Sequence, residues 1–88
     1  LQINKREEWI DMPHITIKML KGRTDEQKQL AAKRVADALV DAIGCNACHV
    51  SVSVEDFTPQ EWQTVYQQEV TENDALVLRP NYNPEDVL

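Results

Sequence analysis

Positive charge is what this 88-residue sequence has least of: Lys and Arg number 9 against 15 Asp and Glu, a formal charge of -6. Phosphate binding needs a clustered basic surface, so a nucleic-acid partner drops out. Long apolar runs are missing as well. No stretch approaches membrane-spanning length, and no charged leader precedes an apolar segment with a small-residue cleavage site, which predicts a soluble, cytoplasmic chain with no membrane role. Cysteine is scarce: Cys45 and Cys48 are the only two. Their C-x-x-C spacing lies just after Gly44, where a helix is expected to end, and a helix C-terminus disfavours a thiolate. His14 and His49 do not add a second pair at metal-ligand spacing. We read both thiols as structural and expect no metal. Size is short too. A single domain of this length buries a modest share of its surface, so association with copies of itself is the expectation.

What is present centres on residues 12–28. After Met12 and Pro13, residues 14–20 alternate, with Ile15, Ile17 and Met19 on one face and His14, Thr16 and Lys18 on the other, as in a half-buried strand. His14 falls on the polar face and has no partner nearby in sequence, so it reads as a solvated or lightly hydrogen-bonded strand histidine. Lys21, Gly22 and Arg23 form a turn. Thr24 with Gln27 makes a capping box, and Asp25 and Glu26 suit the positive end of a helix dipole. Leu30, Ala31, Ala32, Val35, Ala36, Ala38, Leu39, Ala42 and Ile43 then recur at helical spacing, with Lys28, Lys33, Arg34, Asp37 and Asp41 outside. Gly44 stops the helix. Residues 50–55 alternate again, valines against Ser51, Ser53 and Glu55. Strand, helix and strand make a right-handed parallel βαβ unit with a polar open face.

Phe57-Thr58-Pro59-Gln60-Glu61-Trp62 is a second helix start: Thr58 caps, Pro59 opens the first turn, Glu61 closes the box, and Phe57 staples to Trp62. Trp62, Val65, Tyr66 and Val70 share a face, and residues 71–74 end the helix with turn chemistry. Residues 75–78 are a short apolar run, expected as a strand or extended arm added to the sheet of a neighbouring copy. An extended tail with Pro80 and Pro84 follows. Residues 1–11 read as an appendage, anchored by Trp9 and Ile10. The organisation is therefore an N-terminal extension, 1–11, and one domain, 12–88.

Met12-Pro13, the alternating strand and Gly22-Arg23-Thr24-Asp25-Glu26-Gln27-Lys28 together resemble the 4-oxalocrotonate tautomerase family. Pro59-Gln60-Glu61-Trp62-Gln63 and the run from Ala75 to Tyr82 are most similar to its longer enterobacterial branch, which tautomerises phenylpyruvate-type substrates. The resemblance implies an α/β tautomerase fold with an extra short helix and an extended C-terminal segment. It also implies removal of the initiator methionine, Pro13 as catalytic base, and keto-enol chemistry on small 2-oxo acids without a cofactor. Lowering the amine's pKa by burial and a nearby cation suits that role. Arg23 would clamp the substrate carboxylate with its planar fork. Trp62 would close the pocket, with Phe57 walling its apolar end.

Two departures qualify the likeness. The type enzyme's second arginine corresponds here to Ser51, which supplies a hydroxyl and no charge, so a monocarboxylate with an aromatic or apolar tail fits better than a dicarboxylate. The polar open face favours a homodimer over a hexamer. The other departure is the extension: attached to Pro13 it makes that nitrogen a tertiary amide, which is no base. The competing expectation is a non-catalytic oligomeric binding scaffold on the same fold, with the arm over the pocket and Trp9 in the substrate's place. Water activation by Glu55, Asp56 or Glu61 ranks third.

Overall fold

The computed structural model describes residues 12–88. The expected appendage at 1–11, with its anchor at Trp9 and Ile10, lies outside the described residues. The elements are strand β1 (His14–Leu20), helix α1 (Asp25–Ile43), strand β2 (Ser51–Phe57) and helix α2 (Pro59–Tyr66). Two short 3-10 turns, Ala47–His49 and Pro84–Val87, and a π-helical turn, Gln67–Thr71, complete them. β1 and β2 pair in a two-stranded sheet. Ser51 N–H donates to Pro13 C=O at 3.2 Å and Lys21 N–H to Phe57 C=O at 2.9 Å, so both strands advance together and the pair is parallel.

The chain divides into two compact units, one holding the described residues to Ile17 with Arg23–Val54, the other Lys18–Gly22 with Glu55–Leu88. The first carries the β-α-β arrangement. Ile15, Ile17, Val52 and Val54 are half-buried, whereas His14, Thr16 and Ser51 are exposed, as the period-two pattern requires. α1 starts as expected: Thr24 Oγ1 accepts from Gln27 N–H at 3.1 Å, and the Gln27 side chain accepts from Thr24 N–H at 2.9 Å. Gly44 ends it in the left-handed conformation, φ 71°, donating to Val40 C=O at 2.9 Å. The face of α1 is less covered than its pattern suggests. No residue of the helix is fully buried, Leu30, Val35 and Ile43 are exposed, and Lys28, expected outside, is half-buried.

In the second unit, α2 begins with Thr58 Oγ1 accepting from Glu61 N–H at 3.1 Å and the Glu61 carboxylate accepting from Thr58 N–H at 2.8 Å. Val65 is its buried residue. The helix does not run on regularly to Val70; it widens into the π turn, closed by Glu72 N–H donating to Gln67 C=O at 2.8 Å. Residues 75–78 form no strand. Asn73 turns the chain instead, its side-chain oxygen accepting from Ala75 N–H at 2.9 Å and its carbonyl from Leu76 N–H at 3.2 Å. Val77 and Leu78 are left 90% and 85% exposed. The tail is only partly extended, since the 3-10 turn from Pro84 shortens it.

Candidate active site

Gly22 has φ 133°, a region side-chain-bearing residues rarely occupy, and it turns the chain out of β1 towards the cap of α1. Arg23 therefore stands two residues before the first helical position. Its side chain is exposed and has no hydrogen bond or ion pair among the described residues. An unpaired guanidinium beside a helix N-terminus is a favourable setting for an anion, because the fork and the positive end of the dipole act together.

Pro13 is half-buried immediately before β1, and its carbonyl takes the first rung of the ladder from Ser51 N–H. Next to it, His14 Nδ1 and Ser51 Oγ are 2.6 Å apart, His14 Nε2 and Ser53 Oγ 3.3 Å, and Ser53 Oγ donates to Thr16 Oγ1 at 3.4 Å. Each ring nitrogen of His14 is thus within hydrogen-bond distance of a serine hydroxyl of β2. His14 is an exposed, hydrogen-bonded strand histidine, within the range the sequence led us to expect. Both its partners come from β2, which a search for neighbours along the chain cannot find; the signal was the parallel register, which sets the polar faces of the two strand starts side by side.

Phe57 and Trp62 belong to the second unit, where their ring centroids lie 6.3 Å apart at 57°, the hydrophobic staple of α2. Trp62 Nε1–H donates to Tyr82 Oη at 2.8 Å, and Tyr82 meets Tyr66 edge-on, centroids 5.4 Å apart. Lys18 Nζ stands 6.0 Å from the Phe57 ring centroid and 3.9 Å from Glu69. Gln63 Nε2 donates to Pro84 C=O at 2.8 Å, so the tail is tied to α2 at two points. The sequence marks Gln63 and Tyr82 through the family motifs but not their contacts, whose partners lie 21 and 20 residues away.

Glu61 is occupied by its cap. Hydrogen bonds from the Thr58 backbone and then its side chain hold the carboxyl below its ordinary value, which makes it a weaker base. Cys45 is buried and Cys48 exposed, both as free thiols. Among the described residues no group of three or more His, Cys, Asp or Glu is placed to hold a metal ion, and no helix is long and apolar enough to cross a membrane.

Comparison with known proteins gives these features a family. Residues 13–74 match the family described as Tautomerase enzyme. The chain belongs to the 4-oxalocrotonate tautomerase family. A probable tautomerase of Xylella fastidiosa (strain 9a5c) is 41% identical over 73 residues, covering 81% of this chain and 89% of that protein. Tautomerase PptA of Klebsiella pneumoniae (strain 342) is 32% identical over 74 residues, 82% of this chain and 99% of its own. Among solved structures, YwhB, a homologue of 4-oxalocrotonate tautomerase, superposes with TM-score 0.52 at 36% identity over 53% of this chain and 77% of its own. SAR1376, a putative 4-oxalocrotonate tautomerase of Staphylococcus aureus, gives TM-score 0.53 at 35% identity, covering 55% and 77%. The fold is thus the α/β tautomerase fold, and the activity is of the tautomerase type, an isomerisation.

Proposed function

We propose that this member of the 4-oxalocrotonate tautomerase family interconverts the enol and keto forms of small 2-oxo acids bearing one carboxylate and an apolar tail, phenylpyruvate-like in chemistry, with the amine of Pro13 as base. The observation that carries this reading is that the family match begins at Pro13 itself. With Met12 and everything before it removed, Pro13 becomes a secondary amine. That amine takes the enol O–H proton, the C2–C3 double-bond electrons take up a proton at C3, and the C2 carbonyl forms. The proton at C3 comes from the same nitrogen, so the amine ends as it began. Arg23 holds the carboxylate and draws charge from the reacting carbons. Phe57 and Trp62 bind the tail; the indole N–H is spent on Tyr82, which leaves the ring faces for an apolar group.

Two further parts of the proposal concern setting. The active form is a homodimer: Cys45 and Val65 are the only buried hydrophobic residues among those described, which is a thin core for a lone chain. The exposed pair Val77 and Leu78 is the segment offered to the other copy. Two free thiols fit a reducing compartment such as the cytoplasm.

An enol-keto assay with phenylpyruvate on chains beginning at Leu1 and at Pro13 tests the reading. Activity is expected in the Pro13 form alone, lost in its Pro13→Ala variant. In Arg23→Ala, KM is expected to rise about 10- to 100-fold, as for a charge-assisted bond of roughly 1.5–3 kcal/mol. Silence of the Pro13 form across several 2-oxo acids, or activity surviving Pro13→Ala, would overturn it.

A further inference from the structure

Ser51 bonds to two consecutive residues at once. Its backbone N–H donates to Pro13 C=O at 3.2 Å, and its hydroxyl lies 2.6 Å from Nδ1 of His14. The two bonds fix different parts of one dipeptide: the first sets the peptide plane that follows Pro13, the second sets the ring of His14 against the opposite strand. Behind that ring, Ser53 meets Nε2 and donates on to Thr16, so the imidazole is held at both nitrogens.

We propose that Ser51 and His14 are positioning residues for Pro13, a latch that holds the first residue of the reactive chain in place. The inference rests on the reading above, in which Pro13 is the first residue and its amine the base. A terminal residue is fastened by one peptide bond and frays unless tied down. Here the tie is the Ser51 rung, and the His14 to Ser51 bond keeps the two strand starts in register so that the rung persists. A base that wanders by an ångström loses much of its rate, since the advantage of a bound base lies in its orientation. The same geometry revises the role expected for Ser51. Its hydroxyl is already engaged with His14 Nδ1, at 2.6 Å. Ser51 acts on the reaction through Pro13.

The test compares Ser51→Ala, Ser51→Thr, His14→Ala and the double alanine variant in the form in which tautomerase activity is found. It reads kcat and KM with phenylpyruvate enol, and hydrogen exchange of the residue-51 backbone amide. A latch predicts kcat lower by about tenfold in each single alanine variant with KM little changed, less than the roughly hundredfold cost of a 1 Å misplacement because both residues are exposed and water shares their bonds. The double variant should be no slower than either single one, since both break the same link. Ser51→Thr keeps the hydroxyl and should restore kcat. The residue-51 amide should exchange faster in His14→Ala, although that substitution leaves the amide itself untouched. Three results would overturn the latch: KM raised in Ser51→Ala at unchanged kcat, which means that the hydroxyl meets substrate; unchanged exchange in His14→Ala; or an additive double variant. A failed base assignment shows separately, as activity surviving Pro13→Ala, and the exchange readout still decides whether the latch exists.

Discussion

Replacing Tyr82 separates two contacts that hold the tail on α2. Its hydroxyl accepts from the Trp62 indole at 2.8 Å, and its ring packs edge-on against Tyr66 at 5.4 Å. Tyr82→Phe removes the first alone. A hydrogen bond of this kind contributes about 0.5–1.5 kcal/mol, and with Tyr82 38% exposed water can replace the lost acceptor, so the lower half of that range applies. Tyr82→Ala removes the ring as well, adding about 0.5–1.5 kcal/mol for the aromatic pair, roughly 1–2.5 kcal/mol in all. Urea unfolding followed by tryptophan emission reads both. With a slope of about 1.5 kcal/mol/M, the midpoint should fall by about 0.5 M in Tyr82→Phe and by about 1–1.5 M in Tyr82→Ala, at one fixed protein concentration. The slope should not change. Equal shifts in the two variants would show that the ring contact contributes nothing, and an unmoved midpoint in both would show that the tail is not bound to α2 in solution.

Two further outcomes follow from the helix starts. Thr24→Ala deletes the acceptor for Gln27 N–H and should lower stability by about 1 kcal/mol in the same urea measurement. Glu61 has a folded-state pKa below the ordinary 4.5 because Thr58 donates to its carboxylate, so its stabilisation is fully present above that ordinary value and is lost as pH falls through the lowered one. Part of the acid-side fall in the urea midpoint should therefore vanish in Glu61→Gln, which keeps the cap and has no proton to gain; an identical pH profile for both proteins would refute the assignment.

The helix starts and the stop of α1 were legible. Thr24 with Gln27 and Thr58 with Glu61 are short-range reciprocal bonds, and Gly44 needs only its own φ, so residues a few positions apart determine them. The strand faces were legible for the same reason: period two is a local property. Contacts closed over a long sequence separation were not. His14 with Ser51, Trp62 with Tyr82 and Gln63 with Pro84 depend on where β2 and the tail come to rest. The segment at 75–78 shows the other limit. Its composition favours a strand, but the Asn73 turn takes up the amides of Ala75 and Leu76, and no strand among the described residues pairs with the rest.

The departure at Ser51 bears on substrate charge more than its size suggests. A serine in place of an arginine removes a cation, and a hydroxyl could still have served a second carboxylate as a donor. The contact with His14 Nδ1, at 2.6 Å, already engages that hydroxyl. Under the proposed roles, Arg23 is then the one anion-binding group of the site, and a second carboxylate would have to shed its water without a partner, which costs far more than an apolar tail does. The aromatic pair Phe57 and Trp62 offers that tail a ring face. Under the proposed roles, selection for one carboxylate and an apolar tail rests on there being one guanidinium, with a serine where the type enzyme has its second.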